Sequence, residues 1–110
     1  MKINKELMKG STVILILTLL GQKDRYGYEI SREIERRSDG LFALKEGTLY
    51  PILHALEAER YVEAYWHEEG GRKRKYYRIT DEGRGQLEEK KREWSLFRTT
   101  VDRVIGEGRP

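Results

Sequence analysis

Apolar residues recur with the period of an α-helix over the first sixty positions of the chain, and they predict three consecutive helices. The first is expected over residues 5–20. It is apolar nearly all round from Val13 onward, as a buried helix is, and Gly21 is a natural stop. The second helix is expected over residues 26–38 and the third over residues 46–60. The third has the clearest amphipathic face, formed by Leu49, Ile52, Leu53 and Leu56.

Two strand-like runs follow, over residues 61–68 and 73–80, and they flank the pair Gly70-Gly71. A Gly-Gly pair between such runs predicts a β-hairpin with a two-residue loop. The loop would pair Val62 with Ile79, Ala64 with Tyr77, Glu63 with Arg78 and Tyr65 with Tyr76. One side of the hairpin is then apolar, and the other combines an ion pair with an aromatic pair, which are favourable neighbours. A longer loop is the alternative.

A long final helix is predicted over residues 81–105, with Thr80 as N-cap and acidic residues in the first turn. A heptad-like stripe runs along it, interrupted by the polar residue Lys90. The apolar members of the stripe are Leu87, Trp94, Phe97, Val101 and Val104. A long helix that follows a compact domain has little else to bury such a stripe, so we expect it to pair two chains. The alternative is that it folds back onto its own core.

The order helix, helix, helix, strand, strand, helix is that of a winged helix-turn-helix. The expected fold is therefore α+β but mostly α, with three helices, a two-stranded β wing and a long C-terminal dimerisation helix. Residues 1–80 would form the winged-helix domain, and residues 81–110 the dimerisation helix and a ragged tail. A chain of 110 residues, 37% apolar and 37% charged, has enough for one modest core.

Composition narrows the function further. The chain has no cysteine, which excludes disulfides and thiolate chemistry and fits a reducing, cytoplasmic setting. The longest apolar run, residues 13–17, is too short to cross a membrane. The two histidines, His54 and His67, stand in no catalytic or metal-binding spacing, and no phosphate-loop motif appears. We therefore expect no enzyme, no metal and no cofactor.

The positive charge is concentrated in the wing. The chain has a net charge of +3, yet residues 69–78 carry five cations and one anion, a local +4. Four of the cations, Arg72, Lys73, Arg74 and Lys75, are consecutive, and they repel one another in the free protein. Double-stranded DNA would relieve that repulsion and release counterions. A solvated loop is the alternative, but a basic hairpin directly after a helix-turn-helix favours DNA, with Tyr76 beside the basic run.

The third helix is the candidate base reader, because its exposed side is small and not acidic and can approach a major groove closely. This exposed side lacks Arg, Asn and Gln, so readout falls to Thr48, Tyr50 and His54, with Pro51 against a thymine methyl group. We expect modest base readout, shared with phosphate contacts and DNA shape. Lys45 is placed to hold a phosphate at the helix N-terminus. His54 is equally compatible with an ordinary surface histidine.

Together these features predict a homodimer that inserts two recognition helices into successive major grooves of a pseudo-palindromic site. The rival interpretation is a protein interaction module without direct DNA binding, whose partner binding would be insensitive to salt. In a symmetric dimer the two copies of Trp94 could also hold a planar aromatic effector between them. Plain interface packing is the alternative for this residue.

Several segments, in the right order, resemble the PadR-type transcriptional regulators. They are KGST at residues 9–12, YGYEI at 26–30, LKEGTLYP at 44–51 and GGRKRKYYRIT at 70–80. The resemblance covers about residues 5–105, and the single C-terminal helix is similar to the compact subgroup of the family. It implies a dimeric winged-helix transcription factor, in most members a repressor, dimerised by the last helix with help from the first. In drug-sensing members aromatic compounds lie between paired tryptophans, and Trp94 falls at the corresponding position.

Overall fold

The computed structural model describes residues 8–106, and their fold is the predicted winged helix with a long C-terminal helix. The helices are α1 (Thr12–Gln22), α2 (Gly27–Arg37), α3 (Glu46–Ala58) and α4 (Asp81–Ile105). The strands are β1 (Arg25–Tyr26), β2 (Val62–Glu69) and β3 (Arg72–Ile79), which form an antiparallel sheet in the order β1-β3-β2. The predicted bounds of α4 are confirmed, whereas the start of the first predicted helix and the tail after residue 106 lie outside the described residues.

The single first helix predicted for residues 5–20 is divided. Met8 and Lys9 are helical, and a turn separates them from α1. At this turn the hydroxyls of Ser11 and Thr12 both donate to the carbonyl oxygen of Met8, at 3.0 and 2.9 Å. Such side-chain bonds compete with the regular helical ladder, which explains the break. At the other end the predicted stop at Gly21 is wrong, since α1 continues to Gln22.

β1 was not predicted, because two residues are too short to show a period. From the sequence, Arg25 was expected between the first two helices and Tyr26 at the start of the second. Instead they pair with Tyr77 and Tyr76 of β3, which extends the two-stranded wing to a three-stranded sheet. Tyr26 is also the N-cap of α2, and its backbone N–H donates to Glu29 at 3.3 Å. β1 therefore links the helix-turn-helix to the wing, because it leads into α2 and pairs with β3.

The hairpin has the predicted register and the predicted two-residue loop. Gly70 and Gly71 have φ angles of 58° and 79°. Positive φ at both loop residues defines the turn type whose twist matches that of the flanking strands, and glycine adopts it without steric cost. The Gly-Gly pair therefore fixes which side chains of β2 and β3 share a face.

One hydrophobic core lies between the three N-terminal helices and the sheet. Its fully buried side chains are Ile16, Leu17 and Leu20 of α1, Ile30 of α2, Leu49 and Leu53 of α3, and Val62 and Tyr77 of the sheet. Only the start of α4 joins this core, through Leu87. From Lys91 onward every described residue of α4 except Asp102 is exposed, and the molecule extends to 55 Å along its longest axis.

Hydrogen bonds at the end of β3 fix the direction in which α4 leaves the domain. Thr80 donates its backbone N–H to Tyr61 at 3.0 Å and its hydroxyl to the carbonyl oxygen of Arg60 at 2.6 Å. The same hydroxyl accepts from the N–H of Gly83 at 3.0 Å, as the predicted N-cap does. Gly83 passes so close to this segment that a Cβ placed on it would lie 2.0 Å from the carbonyl oxygen of Tyr61.

We predict that Gly83→Ala lowers the free energy of unfolding by about 3 kcal/mol or more, because the new methyl group would collide with backbone that cannot yield. Gly85→Ala is the matched control. A Cβ at Gly85 meets nothing within 4 Å, so alanine should stabilise the helix by about 0.5–1 kcal/mol. Urea unfolding at one fixed protein concentration measures both. Equal effects of the two substitutions would contradict the close approach at Gly83.

Candidate nucleic-acid interface

The exposed side of α3 is the one that the sequence predicted. Thr48, Pro51 and His54 are exposed, while Leu49 and Leu53 are buried beneath them. Lys45 is exposed at the N-cap, and no side chain of the described residues caps the first turn. The amide of Thr48 donates to the carbonyl oxygen of Lys45, while those of Glu46 and Gly47 have no acceptor within the described residues, so a phosphate oxygen could accept from them.

Tyr50 differs from the other predicted base readers, because its ring packs within the protein. It is half-buried, and a Cβ placed on Gly27 would lie 2.3 Å from its hydroxyl oxygen and 2.7 Å from its Cζ. The absence of a side chain at Gly27 thus makes room for the ring, which joins α3 to the N-terminus of α2. Tyr50 holds the recognition helix in place, and its contact with bases stays a prediction.

Strand alternation divides the wing into two faces, because successive side chains point to opposite sides. The inner face continues the core side of the sheet and consists of Val62, Ala64, Trp66 and Glu68 with Lys73, Lys75, Tyr77 and Ile79. The outer face consists of Glu63, Tyr65, His67 and Glu69 with Arg72, Arg74, Tyr76 and Arg78. The basic run is therefore not a single patch, since its lysines and arginines lie on different faces.

The outer face is an aromatic cluster covered by arginines. The Tyr76 ring lies 5.4 Å from the Tyr26 ring and 5.8 Å from the Tyr65 ring, measured between centroids. The Arg74 guanidinium lies 4.6 Å above the Tyr26 ring, and that of Arg78 lies 4.9 Å above the Tyr65 ring. Both distances are in the cation–π range. Arg74 and Arg78 are thus already engaged by the protein.

A hydrogen bond ties this cluster to the turn before β1. The Tyr65 hydroxyl donates to Asp24 at 2.6 Å, and this bond raises the pKa of the phenol above its usual value. Burial raises the pKa of Tyr76 and of Tyr77, and for Tyr77 the Glu57 carboxylate of α3 adds to the effect. All three phenols therefore stay neutral at ordinary pH. Asp24 and Tyr65 hold the wing against the helix-turn-helix.

The inner face of the wing is more open. Lys75 lies 3.9 Å from the Glu57 carboxylate and 5.7 Å from the centre of the Tyr77 ring. Lys73 has no carboxylate within 4.0 Å in the described part of the chain, and the same holds for Arg72. Trp66, which sequence analysis did not single out, is exposed on this face opposite Lys75. Its signal in the sequence was its position in β2, two residues beyond the apolar Ala64.

The structure thus sorts the predicted DNA-binding residues by accessibility. Exposed are Lys45, Thr48, Pro51, His54, Arg72 and Lys73, and half-buried are Tyr50, Arg74, Lys75 and Tyr76. Within residues 8–106 no three acidic or histidine side chains converge as metal ligands. The same residues contain no helix with the length and hydropathy needed to span a bilayer.

Comparison with known proteins agrees with this architecture. The model of the transcriptional regulator PadR-like family matches residues 16–89. A protein from Lysinibacillus sphaericus is 42% identical over 101 residues, which span 91% of this chain and 93% of that one. The transcriptional regulator YqjI of Escherichia coli is 31% identical over 98 residues, but the match spans only 46% of its length.

Solved structures give the same result. A transcriptional regulator from Clostridium thermocellum superposes with a TM-score of 0.87 at 38% identity, covering 94% of this chain and 98% of that one. A PadR-like transcriptional regulator from Bacillus cereus gives a TM-score of 0.80 at 35% identity, covering 92% and 97%. The fold and the exposed wing define a DNA-binding regulator rather than an enzyme. The chain belongs to the PadR-like family of transcriptional regulators.

We predict that Gly27→Ala lowers the free energy of unfolding by about 1–3 kcal/mol, because its methyl group would displace the Tyr50 ring. In a Tyr50→Leu background the ring is gone and the same substitution should cost much less. The difference measures the coupling between the two positions in a double-mutant cycle followed by urea unfolding. Gly47→Ala, at an open helix position, is the control and should not destabilise. An equal cost in both backgrounds would show that the ring does not need the space at Gly27.

Proposed function

We propose that this PadR-family regulator is a cytoplasmic homodimer that represses transcription by occupying a pseudo-palindromic operator. Residues 1–80 act as the DNA-binding domain and residues 81–110 as the dimerisation segment. The observation that carries the proposal is the apolar surface that α4 leaves uncovered in a single chain. This surface is made by Trp94, Phe97, Val101 and Val104, which are all exposed.

The uncovered residues lie on one side of α4 at spacings of three and four, which is the pattern of a helix that packs along another helix. Phe97 is 60% exposed and Val104 80%, and the rings of Trp94 and Phe97 stack at 5.9 Å. Contiguous exposed apolar surface of this kind marks an interaction site. Leu87, which was predicted in the same stripe, is buried in the core of its own chain. The segment offered to a partner therefore begins at Trp94.

A second copy of the chain is the partner that best fits this stripe. Pairing of the same surface on two copies generates a two-fold axis, and the two α3 helices then face DNA in opposite orientations. Such a pair reads two half-sites about one helical turn apart, which requires a pseudo-palindromic site. A dimer bound across such a site would block transcription, and the resemblance to a family of mostly repressors supports this sign of regulation.

We predict that Phe97→Glu converts the dimer into a monomer, because two carboxylates would have to be buried in the helix interface. Leu96→Glu is the matched control. Leu96 is 70% exposed and lies about 100° around the helix from Phe97, away from the stripe. Sedimentation velocity of the two variants and the wild type gives the result. A dimer that survives Phe97→Glu, or dissociates equally with Leu96→Glu, would refute pairing through the stripe.

The proposal includes a planar aromatic effector held between the two copies of Trp94. The exposed indole, stacked on Phe97, gives such a ligand a flat apolar surface near the two-fold axis. A ligand bound there would change the spacing of the two recognition helices and so the affinity for the operator.

We predict that acridine or naphthol quenches Trp94 fluorescence in a saturable manner. The measurement uses a Trp66→Phe protein. The chain has two tryptophans, so Trp94 alone then remains. The monomeric Phe97→Glu variant should lose the saturable part, because the site needs both copies. Quenching that stays linear with ligand concentration, or that persists unchanged in the monomer, would contradict the effector site.

A further inference from the structure

We propose that the inner face of the wing, with Trp66 at its centre, is the side of the wing that contacts DNA. In this arrangement the Trp66 indole packs on the deoxyribose–phosphate backbone beside the groove that α3 enters. Lys73 and Lys75 pair with the flanking phosphates. The inference rests on DNA binding by the winged-helix domain, and it assigns a role to Trp66 and divides the basic run into two functional halves.

On the outer face Arg74 and Arg78 are held by the protein, and only Arg72 at the tip is unpaired within the described residues. Arg74 covers the Tyr26 ring, and Arg78 covers the Tyr65 ring while it lies 3.7 Å from Glu63. The rings hold these two guanidinium groups against the protein, so a phosphate could bind them only where the rings place them. Lys73 on the inner face has no such attachment within residues 8–106 and is free to pair with a phosphate.

The inner face and the recognition helix lie on the same side of the molecule. Lys75 of the wing approaches Glu57 of α3 at 3.9 Å. Tyr50, His54 and Glu57 occupy positions i, i+4 and i+7, so they line one edge of α3, the edge that borders the wing. His54 is exposed on this edge. A duplex lying on the exposed side of α3 therefore meets the inner face next.

Trp66 offers the inner face a large aromatic surface. It is 63% exposed and lies directly across from Lys75, two positions beyond Ala64, where the core ends. Its indole combines an apolar ring, suited to a deoxyribose, with an N–H that can donate to a phosphate oxygen. Lysines at 73 and 75 place positive charge beside it, which complements the backbone of a duplex. Continuity with α3 and this charge identify the occupant as DNA.

The fluorescence of Trp66 tests the contact directly. A mixed-sequence 30-base-pair duplex at low salt serves as the probe, because contacts to the backbone do not require a particular operator. Wild-type emission should shift to shorter wavelength and become protected from acrylamide when the duplex is added, and added salt should reverse both effects. The duplex-induced change should be absent in Trp66→Phe. Trp66→Ala should weaken binding about tenfold, the effect of losing one aromatic contact to nucleic acid.

Lys73 and Arg74 are adjacent in sequence but lie on opposite faces, so their alanine variants compare the contribution of each face to DNA binding. Lys73→Ala, on the inner face, should reduce the slope of log K against log salt by about 0.9, the value for one phosphate contact. Arg74→Ala removes the same charge from the outer face and should reduce that slope much less, while it lowers the thermal midpoint because Tyr26 loses its cover. Circular dichroism confirms that each variant is folded.

The outcomes separate this inference from the proposed function. If the wild-type protein binds the duplex but Trp66 emission is unchanged, and Arg74→Ala reduces the salt slope as much as Lys73→Ala, the inner-face assignment is overturned while DNA binding stands. If the wild-type protein does not bind the duplex even at low salt, DNA binding itself fails. A duplex-induced shift of Trp66, with a slope change confined to Lys73→Ala, supports the assignment.

Discussion

The pairing of β3 with strands on both of its sides is the constraint on which the rest of the structure depends. One side of β3 joins β1, which leads into α2, and the other joins β2, which follows α3. Towards its C-terminal end Tyr77 is fully buried in the core. β3 ends at Ile79, and the bonds of Thr80 then direct the chain into α4. The helix-turn-helix, the wing and the start of the C-terminal helix are therefore all connected through β3.

The same strand determines how the basic charge is used. Like charges side by side repel, and a run of four would be costly if all of them shared one surface. Alternation along β3 separates them, and the tyrosine rings of the outer face stabilise Arg74 and Arg78 through cation–π contacts. The net charge of the wing therefore overstates the number of cations that are free to pair with DNA phosphates. Local pairing decides which cations remain free, and in the described wing these are concentrated at the tip and on the inner face.

Features set by short-range patterns were predictable from the sequence, and features set by tertiary contact were not. The hairpin register follows from two glycines that adopt positive φ, and the start of α4 follows from the Thr80 cap. β1 could not be predicted, because it exists only through its pairing with β3. Tyr50 was expected to face DNA, and that contact stays a prediction, but the packing of its ring beside Gly27 is a tertiary contact that its place on the helix does not show. The engagement of Arg74 likewise depends on where the Tyr26 ring lies.

Because the exposed side of α3 has few base-reading side chains, recognition by the proposed dimer would depend on how the rest of the chain positions this helix. A bidentate contact from Arg, Asn or Gln to a base contributes about 1–3 kcal/mol of discrimination, and the exposed side of α3 offers none of these residues. A reader of this kind gains specificity from geometry, through the distance between two half-sites and the shape of the DNA between them. In the proposed dimer, that distance can discriminate between DNA sites only if the segments that connect the two α3 helices hold a fixed geometry. Here the path is short. The carbonyl oxygen of Tyr61, which lies between α3 and β2, accepts from Thr80, and Thr80 caps the helix whose exposed stripe would join the partner. In the proposed dimer, the close backbone approach at Gly83 would therefore help to set the spacing of the two recognition helices.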